Sequence, residues 1–311
     1  MIYPKKLEKG DTIGIIATSS PIPAEREALC VEVLEKMGYK VKKADNLSTN
    51  YGGYMAGTGK VRGEWVNKMF ADPEVDAIFC VRGGDSSSRA MEHIDLDIVR
   101  ANPKIFVGYS DVTAPHLAFN QDCGLVTFHG PMVSSNMVDQ FDEETARSFF
   151  EIVNGEGDIN YWNPAGKPIE VMKEGKASGT LVGGNLSLMT ASIGTPYEVD
   201  TTGKILFIEE VGDSLDNMER HAFQMRAAGK YQKAAGFFLG QFTRCGNPKM
   251  PEYDYLECFK DIFDNLDIPV MYNIQSGHEF PMTTLPLGAE CTIDTADRSI
   301  VFHMKREMVK L

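Results

Sequence analysis

Short apolar runs alternate with amphipathic stretches through the first half of the chain. Thr12-Ile-Gly-Ile-Ile-Ala17 is apolar almost throughout, which predicts a buried strand, and a Thr-Ser-Ser-Pro turn follows it. Over residues 24–37, Ala24, Ala28, Val31 and Leu34 recur near helical spacing, and Gly38 stands where a C-cap glycine is usual. Residues 40–43 read as a weak strand, 64–70 as a helix, and 76–81 as a strand that runs into the Arg82-Gly-Gly84 turn. Ile105-Phe-Val107 is another apolar strand, and Gly108-Tyr-Ser-Asp111 leads from it into a helix through about Gln121. Short apolar strands separated by helices predict an α/β protein with a parallel sheet covered on both faces.

Residues 160–179 break that rhythm. Trp162-Asn-Pro-Ala-Gly-Lys-Pro168 and the polar stretch after it read as an inter-domain linker. Beyond it the strand signals are more mixed, over 205–208, 236–240, 269–271, 289–294 and 299–303, with one good helix over 215–228. The expected organisation is a domain over 1–160, a linker over 161–178 and a β-rich α/β domain over 179–311. No repeat at a solenoid period is visible.

Composition narrows the partners. The 311 residues are 43% hydrophobic and 24% charged, enough for roughly two domains with ordinary cores and no need of staples. Lys+Arg is 31 against 44 Asp+Glu, a net charge of −13. With no basic stripe, that surface repels a phosphate backbone, so no nucleic-acid partner is expected. The six cysteines, at 30, 80, 123, 245, 258 and 291, form no C-x-x-C pair, which excludes zinc-ribbon and thioredoxin readings. Cys80, inside an apolar run, reads as a buried thiol. The start Met1-Ile-Tyr-Pro-Lys-Lys-Leu7 lacks the features of a signal peptide, and no stretch approaches the ~20 apolar residues of a membrane span. A cytoplasmic protein with no membrane partner is expected.

Nucleotide signatures are absent. A phosphate loop ending at Lys60 needs Gly at 54 and Ser or Thr at 61, where Tyr54 and Val61 stand. The turn after the first strand has no G-x-G-x-x-G, so a nucleotide-dependent dehydrogenase lacks its fingerprint.

The strongest local feature is Ser110, at the junction of a strand and a helix. A serine on such a turn is exposed at the sheet's carboxyl edge, beside helix N–H groups that can stabilise an oxyanion. The plainer reading is an N-cap. A serine nucleophile needs a base and an orienting carboxylate. His278, in the loop Gln275-Ser-Gly-His-Glu279, and His129, in Thr127-Phe-His-Gly-Pro131, are both candidates for the base, whereas His116 reads as a packing residue. Glu209 ends the apolar run Ile205-Leu-Phe-Ile-Glu-Glu-Val211 and should be partly buried beside a cation. Glu210 points to the opposite face, and at least one of the two is expected to be a solvated strand-end charge. The order Ser110, Glu209, His278 matches nucleophile, acid, base of the α/β-hydrolases. The Arg82-Gly-Gly-Asp-Ser86 turn would face the nucleophile as a donor loop, or serve only as a strand-to-helix connection.

Together these segments resemble the LD-carboxypeptidases (muramoyl-tetrapeptide carboxypeptidases), a family that includes the microcin C immunity proteins. The resemblance runs from Lys9-Gly-Asp-Thr-Ile-Gly-Ile15 through Arg82-Gly-Gly84, Gly108-Tyr-Ser-Asp111 and Thr127-Phe-His-Gly-Pro-Met132. It continues in Gly183-Gly-Asn-Leu-Ser187, Ile205-Leu-Phe-Ile-Glu-Glu210 and Ser276-Gly-His278. It implies a Rossmann-like N-terminal domain and a β-rich C-terminal domain with the site in the cleft between them, and commonly a homodimer. It also implies Ser110 as nucleophile, Glu209 as orienting acid, His278 as base, and the backbone N–H groups of Gly84 and Asp111 as the oxyanion hole. Arg82 and Asp85 are the candidate substrate-binding residues. Many relatives read Arg-Gly-Gly-Tyr-Gly at the donor loop; here Asp85 replaces the aromatic, and Ser86 gives up glycine's backbone freedom.

The implied activity is release of the terminal D-alanine from a cell-wall tetrapeptide, free or on muramic acid, with no metal or organic cofactor. The partner is then a small peptide or muropeptide. The alternatives are hydrolysis of peptidyl- or aminoacyl-nucleotides, as in the microcin immunity branch, and a non-catalytic peptide-binding protein on the same fold.

Overall fold

The apolar runs of the first half form the centre of a six-stranded sheet in the computed structural model, which describes residues 1–306. β1 (Thr12–Ile16) lies between β2 (Lys40–Lys43) and β3 (Ala77–Cys80), and β4 (Ile105–Gly108) and β5 (Thr127–His129) continue the sheet, all parallel. Every residue of β3 and β4 is buried, so these strands read as unbroken apolar runs and not as alternation. The helices Ala24–Lys36, Gly59–Ala71 and Thr113–Gln121 connect the strands, as a parallel sheet requires.

The rest of the chain supplies β6 (Gly157–Asn160), β7 (Glu170–Lys173), β8 (Lys176–Asn185), β9 (Ile205–Val211), β10 (Gly236–Thr243), β11 (Val270–Tyr272), β12 (Leu285–Leu287), β13 (Glu290–Asp294) and β14 (Ser299–Met304). All but β12 build an eight-stranded sheet ordered β6-β14-β13-β8-β9-β10-β11-β7, parallel from β8 to β11 and antiparallel at both flanks. The architecture is therefore α/β, a parallel-sheet half joined to a β-rich half.

The halves are not cleanly separable. β12 crosses back to pair antiparallel with β5, Leu285 opposite His129, so the first sheet borrows its edge strand from the second half. The segment expected to be linker carries β7 and the start of β8, both hydrogen-bonded into the second sheet. One core joins Ile13, Phe79 and Phe106 of the first sheet to Leu181, Phe207 and Met271 of the second. A smaller core lies on the other face of β9 and β10, under the helices Leu215–Ala227 and Tyr255–Phe263.

All six cysteines are buried and unpaired, and burial pushes the Cys80 thiol up to about 12. Among the described residues no helix is long and apolar enough to cross a membrane.

Candidate active site

Ser110 sits at a sharp turn. β4 ends at Gly108, Tyr109 is extended, and Ser110 takes φ +64° before a short 3-10 turn (Ser110–Val112) and the helix Thr113–Gln121. A non-glycine residue in the left-handed region is held there by its surroundings against its own preference. That strand–turn–helix strain is the geometry of a nucleophile elbow. Tyr109, not Ser110, occupies the cap position, and no cap hydrogen bond is made, so the N-cap reading of Ser110 fails.

The donor loop closes over this serine. A Cβ on Gly83 would lie 3.0 Å from Ser110 Cβ and 3.1 Å from its Oγ. Gly84 takes φ +152°, and a Cβ there would lie 2.1 Å from Ser20 Oγ. Only glycine fits at 84 on both counts. The loop is anchored from beneath by Asp111, whose Oδ2 accepts the N–H of Ser86 at 2.9 Å and of Ser87 at 2.7 Å. The fully buried Arg62 donates to Ser86 O (2.8 Å), Ser86 Oγ (2.9 Å) and Thr18 O (2.7 Å). Ser86 therefore needs no glycine-like freedom; its hydroxyl is part of the anchor. Asp85 is exposed and lines the cavity of Ser110. Arg82 is exposed too; its guanidinium donates to Pro21 O at 3.4 Å and does not line the cavity of Ser110.

The acid and the imidazole meet. Glu209, fully buried at the end of β9, has Oε2 2.8 Å from His278 Nδ1. That contact orients the ring. The His278 ring packs edge-on against Tyr109, centroids 4.8 Å apart, so the residue before the nucleophile touches the imidazole. Among the described residues no hydrogen bond joins Ser110 Oγ to His278; such contacts are often loose until substrate binds.

Glu210 corrects the expectation of a solvated carboxylate at this strand end. It is 2% exposed, and its oxygens accept from Asn185 Nδ2, Val211 N, Ser187 N and Ser187 Oγ at 2.6–2.9 Å. Asn185 N in turn donates to Thr113 Oγ1 (3.0 Å), tying the second sheet to the helix that follows the nucleophile.

The other histidines separate by environment. His129 is fully buried between Tyr109 and Phe207, neither ring nitrogen has a partner, and burial holds its pKa well below 6.5. It cannot face a substrate. His116 bonds Thr127 Oγ1 (2.8 Å) and Gly108 O (2.9 Å), with its pKa lowered by burial to about 4, a packing role as expected.

A cavity of about 270 Å³ opens beside Ser110, with Gly84 and Asp85 on one wall and Ser187, Asp213 and His221 on the other. Glu210, Asp213 and His221 form the one grouping among the described residues with ligand atoms within 4.8 Å of one another. It suits a metal ion poorly, because four hydrogen bonds already fill Glu210's oxygens.

Residues 13–130 match the family model of the LD-carboxypeptidase N-terminal domain, and residues 178–293 match that of the C-terminal domain. The chain belongs to the LD-carboxypeptidase family. A Bacillus subtilis relative described as "Probable murein peptide carboxypeptidase" is 38% identical, over 96% of this chain and 94% of its own. The microcin C7 self-immunity protein MccF of Escherichia coli is 30% identical, over 94% of this chain and 93% of its own. MccF solved with aspartyl sulfamoyl adenosine superposes with a TM-score of 0.88 at 27% identity, covering 98% of this chain and 99% of that one. The muramoyltetrapeptide carboxypeptidase of Oxalobacter formigenes gives 0.83 at 25% identity, covering 94% and 98%. Ser110 lies in the N-terminal match, and Glu209 and His278 lie in the C-terminal one.

The side-chain roles of Arg62 and Asp111 leave little trace in the local sequence. An Asp directly after the elbow serine was the available signal, but the N–H groups it accepts lie 24 and 25 residues upstream. Ser187, Asp213 and His221 gave no local signal; the folded sheet alone brings them to Ser110.

Proposed function

We propose that this chain is a serine LD-carboxypeptidase that releases the terminal D-alanine from cell-wall tetrapeptides during cytoplasmic recycling, and needs no metal. The observation that carries the reading is the strained Ser110 under a glycine donor loop, with the buried Glu209–His278 pair packed on the adjoining Tyr109.

Ser110 Oγ attacks the carbonyl of the L-centre that precedes D-alanine, and His278 takes the hydroxyl proton. Glu209 holds the imidazole tautomer and stabilises the imidazolium. The N–H groups of Gly84 and Asp111 receive the oxyanion; the second lies in the first turn of a helix, where N–H groups have no intrahelical acceptor. His278 returns the proton to the departing D-alanine amine as the C–N bond breaks, leaving an ester on Ser110. Water, deprotonated by His278, then attacks the ester; the peptide acid leaves and Ser110 is reprotonated.

A second reading, hydrolysis of an aminoacyl-nucleotide analogue, is favoured by the close superposition on MccF. Charge weighs against it for acidic aminoacyl groups, because Asp85, Glu210 and Asp213 line the cavity beside Ser110. A non-catalytic peptide-binding protein would have no need of a strained serine beside a Glu–His pair. The test offers the purified protein L-Ala-γ-D-Glu-diaminopimelate-D-Ala and glutamyl sulfamoyl adenosine side by side. D-alanine release from the peptide is expected. Cleavage of the sulfamoyl compound alone would move the function to the second reading.

A further inference from the structure

His278 sits on a loop, Ser276-Gly-His-Glu279, with no helix or strand of its own to fix it. One residue of β10 grips that loop on both sides of the imidazole. The N–H of Gln241 donates to Ser276 O at 3.0 Å. Its side-chain Oε1 accepts the N–H of Glu279 at 2.8 Å. The two bonds bracket Gly277 and His278, and the contact between them is close: a Cβ on Gly277, which takes φ +147°, would lie 2.9 Å from Gln241 Cβ.

A break in strand register aims Gln241 at the loop. Leu239 pairs with Ile208 and Phe242 with Glu210, so Gly240 and Gln241 together stand opposite Glu209. Leu239 and Phe242 both pack on the smaller core. Regular alternation would have sent Gln241 after Leu239 into that core. The extra residue is a bulge, which re-aims a side chain. The acid and the amide thus reach His278 from neighbouring strands: Glu209 takes the ring, and Gln241 takes the backbone that carries it.

The amide is committed to this contact. Gln241 is 6% exposed, and its Nε2 is buried with no partner among the described residues. An unpaired buried donor offsets much of what the bond at Oε1 contributes to stability. The arrangement serves the geometry of the loop more than the stability of the fold. Gln241 does not line the cavity of Ser110, so it acts through His278 and not on a substrate.

We propose that Gln241 is a positioning residue for the catalytic base. By fixing the backbone before and after His278, it keeps the imidazole Nδ1 on Glu209 and leaves the imidazole Nε2 for the serine proton. A reacting group needs such support to hold its productive geometry. The inference rests on the serine carboxypeptidase reading and goes beyond it by naming what holds the base.

The test compares Gln241→Met, which fills the space without an acceptor, with Gln241→Glu, which keeps an oxygen for the Glu279 N–H. Steady-state turnover of L-Ala-γ-D-Glu-diaminopimelate-D-Ala gives kcat and KM. Proton NMR follows the far-downfield resonance of the His278 Nδ1 hydrogen bonded to Glu209, assigned by its absence from His278→Gln. Gln241→Met should lower kcat by about tenfold to a hundredfold, the cost of a misplaced reacting group. KM should change far less, and the resonance should be lost or broadened. Gln241→Glu should restore the resonance and most of kcat. Wild-type kcat and resonance in Gln241→Met would overturn the proposal, and so would equal losses in the two variants. Should Gln241→Met fold poorly by circular dichroism, hydrogen exchange on the wild type decides. The Glu279 N–H should be protected although its residue is exposed, and rapid exchange there would overturn the clamp. The resonance needs no substrate, so the two readings fail separately. Its loss in Gln241→Met, beside a wild type that releases no D-alanine, would sink the reaction and keep the positioning. D-alanine release by Gln241→Met at the wild-type rate would sink the positioning and keep the reaction.

Discussion

Ser110 and Gly84 each hold a backbone conformation that their neighbours impose. At Gly84 a methyl group meets Ser20 Oγ at 2.1 Å and Ser19 Oγ at 2.5 Å. Gly84→Ala must therefore shift the loop and the N–H it aims at the oxyanion. Loss of one oxyanion donor costs about 2.7–4 kcal/mol of barrier. The expected result is a fall in kcat of about a hundredfold to a thousandfold with KM changed far less; an unaltered kcat would remove this N–H from the mechanism. The two loop histidines divide as clearly. His278 meets a buried carboxylate, and His129 meets only aromatic rings. His278→Gln should lower kcat by several powers of ten, while His129→Gln should act on thermal stability and leave most turnover intact. The reverse ranking in a steady-state assay would overturn the assignment of the base. In the local sequence these two histidines stand level, because each follows a strand and burial is not written in a five-residue window.

The donor loop and the helix of the nucleophile behave as one element. Asp111 bridges them through two N–H groups, and Arg62 pins the same loop to the end of β1. Asp111→Ala leaves the buried Ser87 N–H without an acceptor and the Ser86 N–H with only Ser19 Oγ at 3.4 Å; an unsatisfied buried donor costs about 1–3 kcal/mol. Urea unfolding should show a loss of about 2 kcal/mol or more, with activity lost in parallel. A variant as stable as the wild type would show that the loop is held by other means. Elements were legible where burial made them uniform. β1, β3 and β4 are central parallel strands and read directly as apolar runs. β7 was not read, because Glu170-Val-Met-Lys173 is an edge strand, half-buried along its length, inside a polar stretch. β12, only Leu285–Leu287, is recruited by the far sheet, a pairing with no local trace. At the site, the Ser110 turn and the Glu209 strand end were legible because strand boundaries expose them. The wall formed by Ser187, Asp213 and His221 was not, because separate stretches of chain create it.

Across the whole molecule, β12 and the shared core make the two sheets a single packed body around a seam of buried histidines. His116 is held at about 4 and His129 well below 6.5, in both cases chiefly by burial. In the unfolded chain both titrate near 6.5. Between pH 6.5 and 4 the unfolded state therefore binds more protons, so stability is full above pH 6.5 and falls as the pH is lowered through that window. His116 alone should remove about 2 kcal/mol between pH 7.5 and 5.0. Urea titrations at the two pH values should show that loss in the wild type and a shallower one in His116→Gln; identical slopes would assign the acid sensitivity elsewhere. Chelation tests the chemistry at the same scale. Because Glu210's acceptors are already filled, EDTA should leave the rate unchanged, and a loss restored by zinc would end the serine mechanism.

One assay bears most directly on the central claim. Wild type and Ser110→Ala are incubated with L-Ala-γ-D-Glu-diaminopimelate-D-Ala; D-alanine is followed by HPLC–mass spectrometry, and the protein by intact mass after acid quench. The account predicts D-alanine release by the wild type alone, with any acyl adduct confined to Ser110. Equal release by a correctly folded Ser110→Ala protein would contradict it.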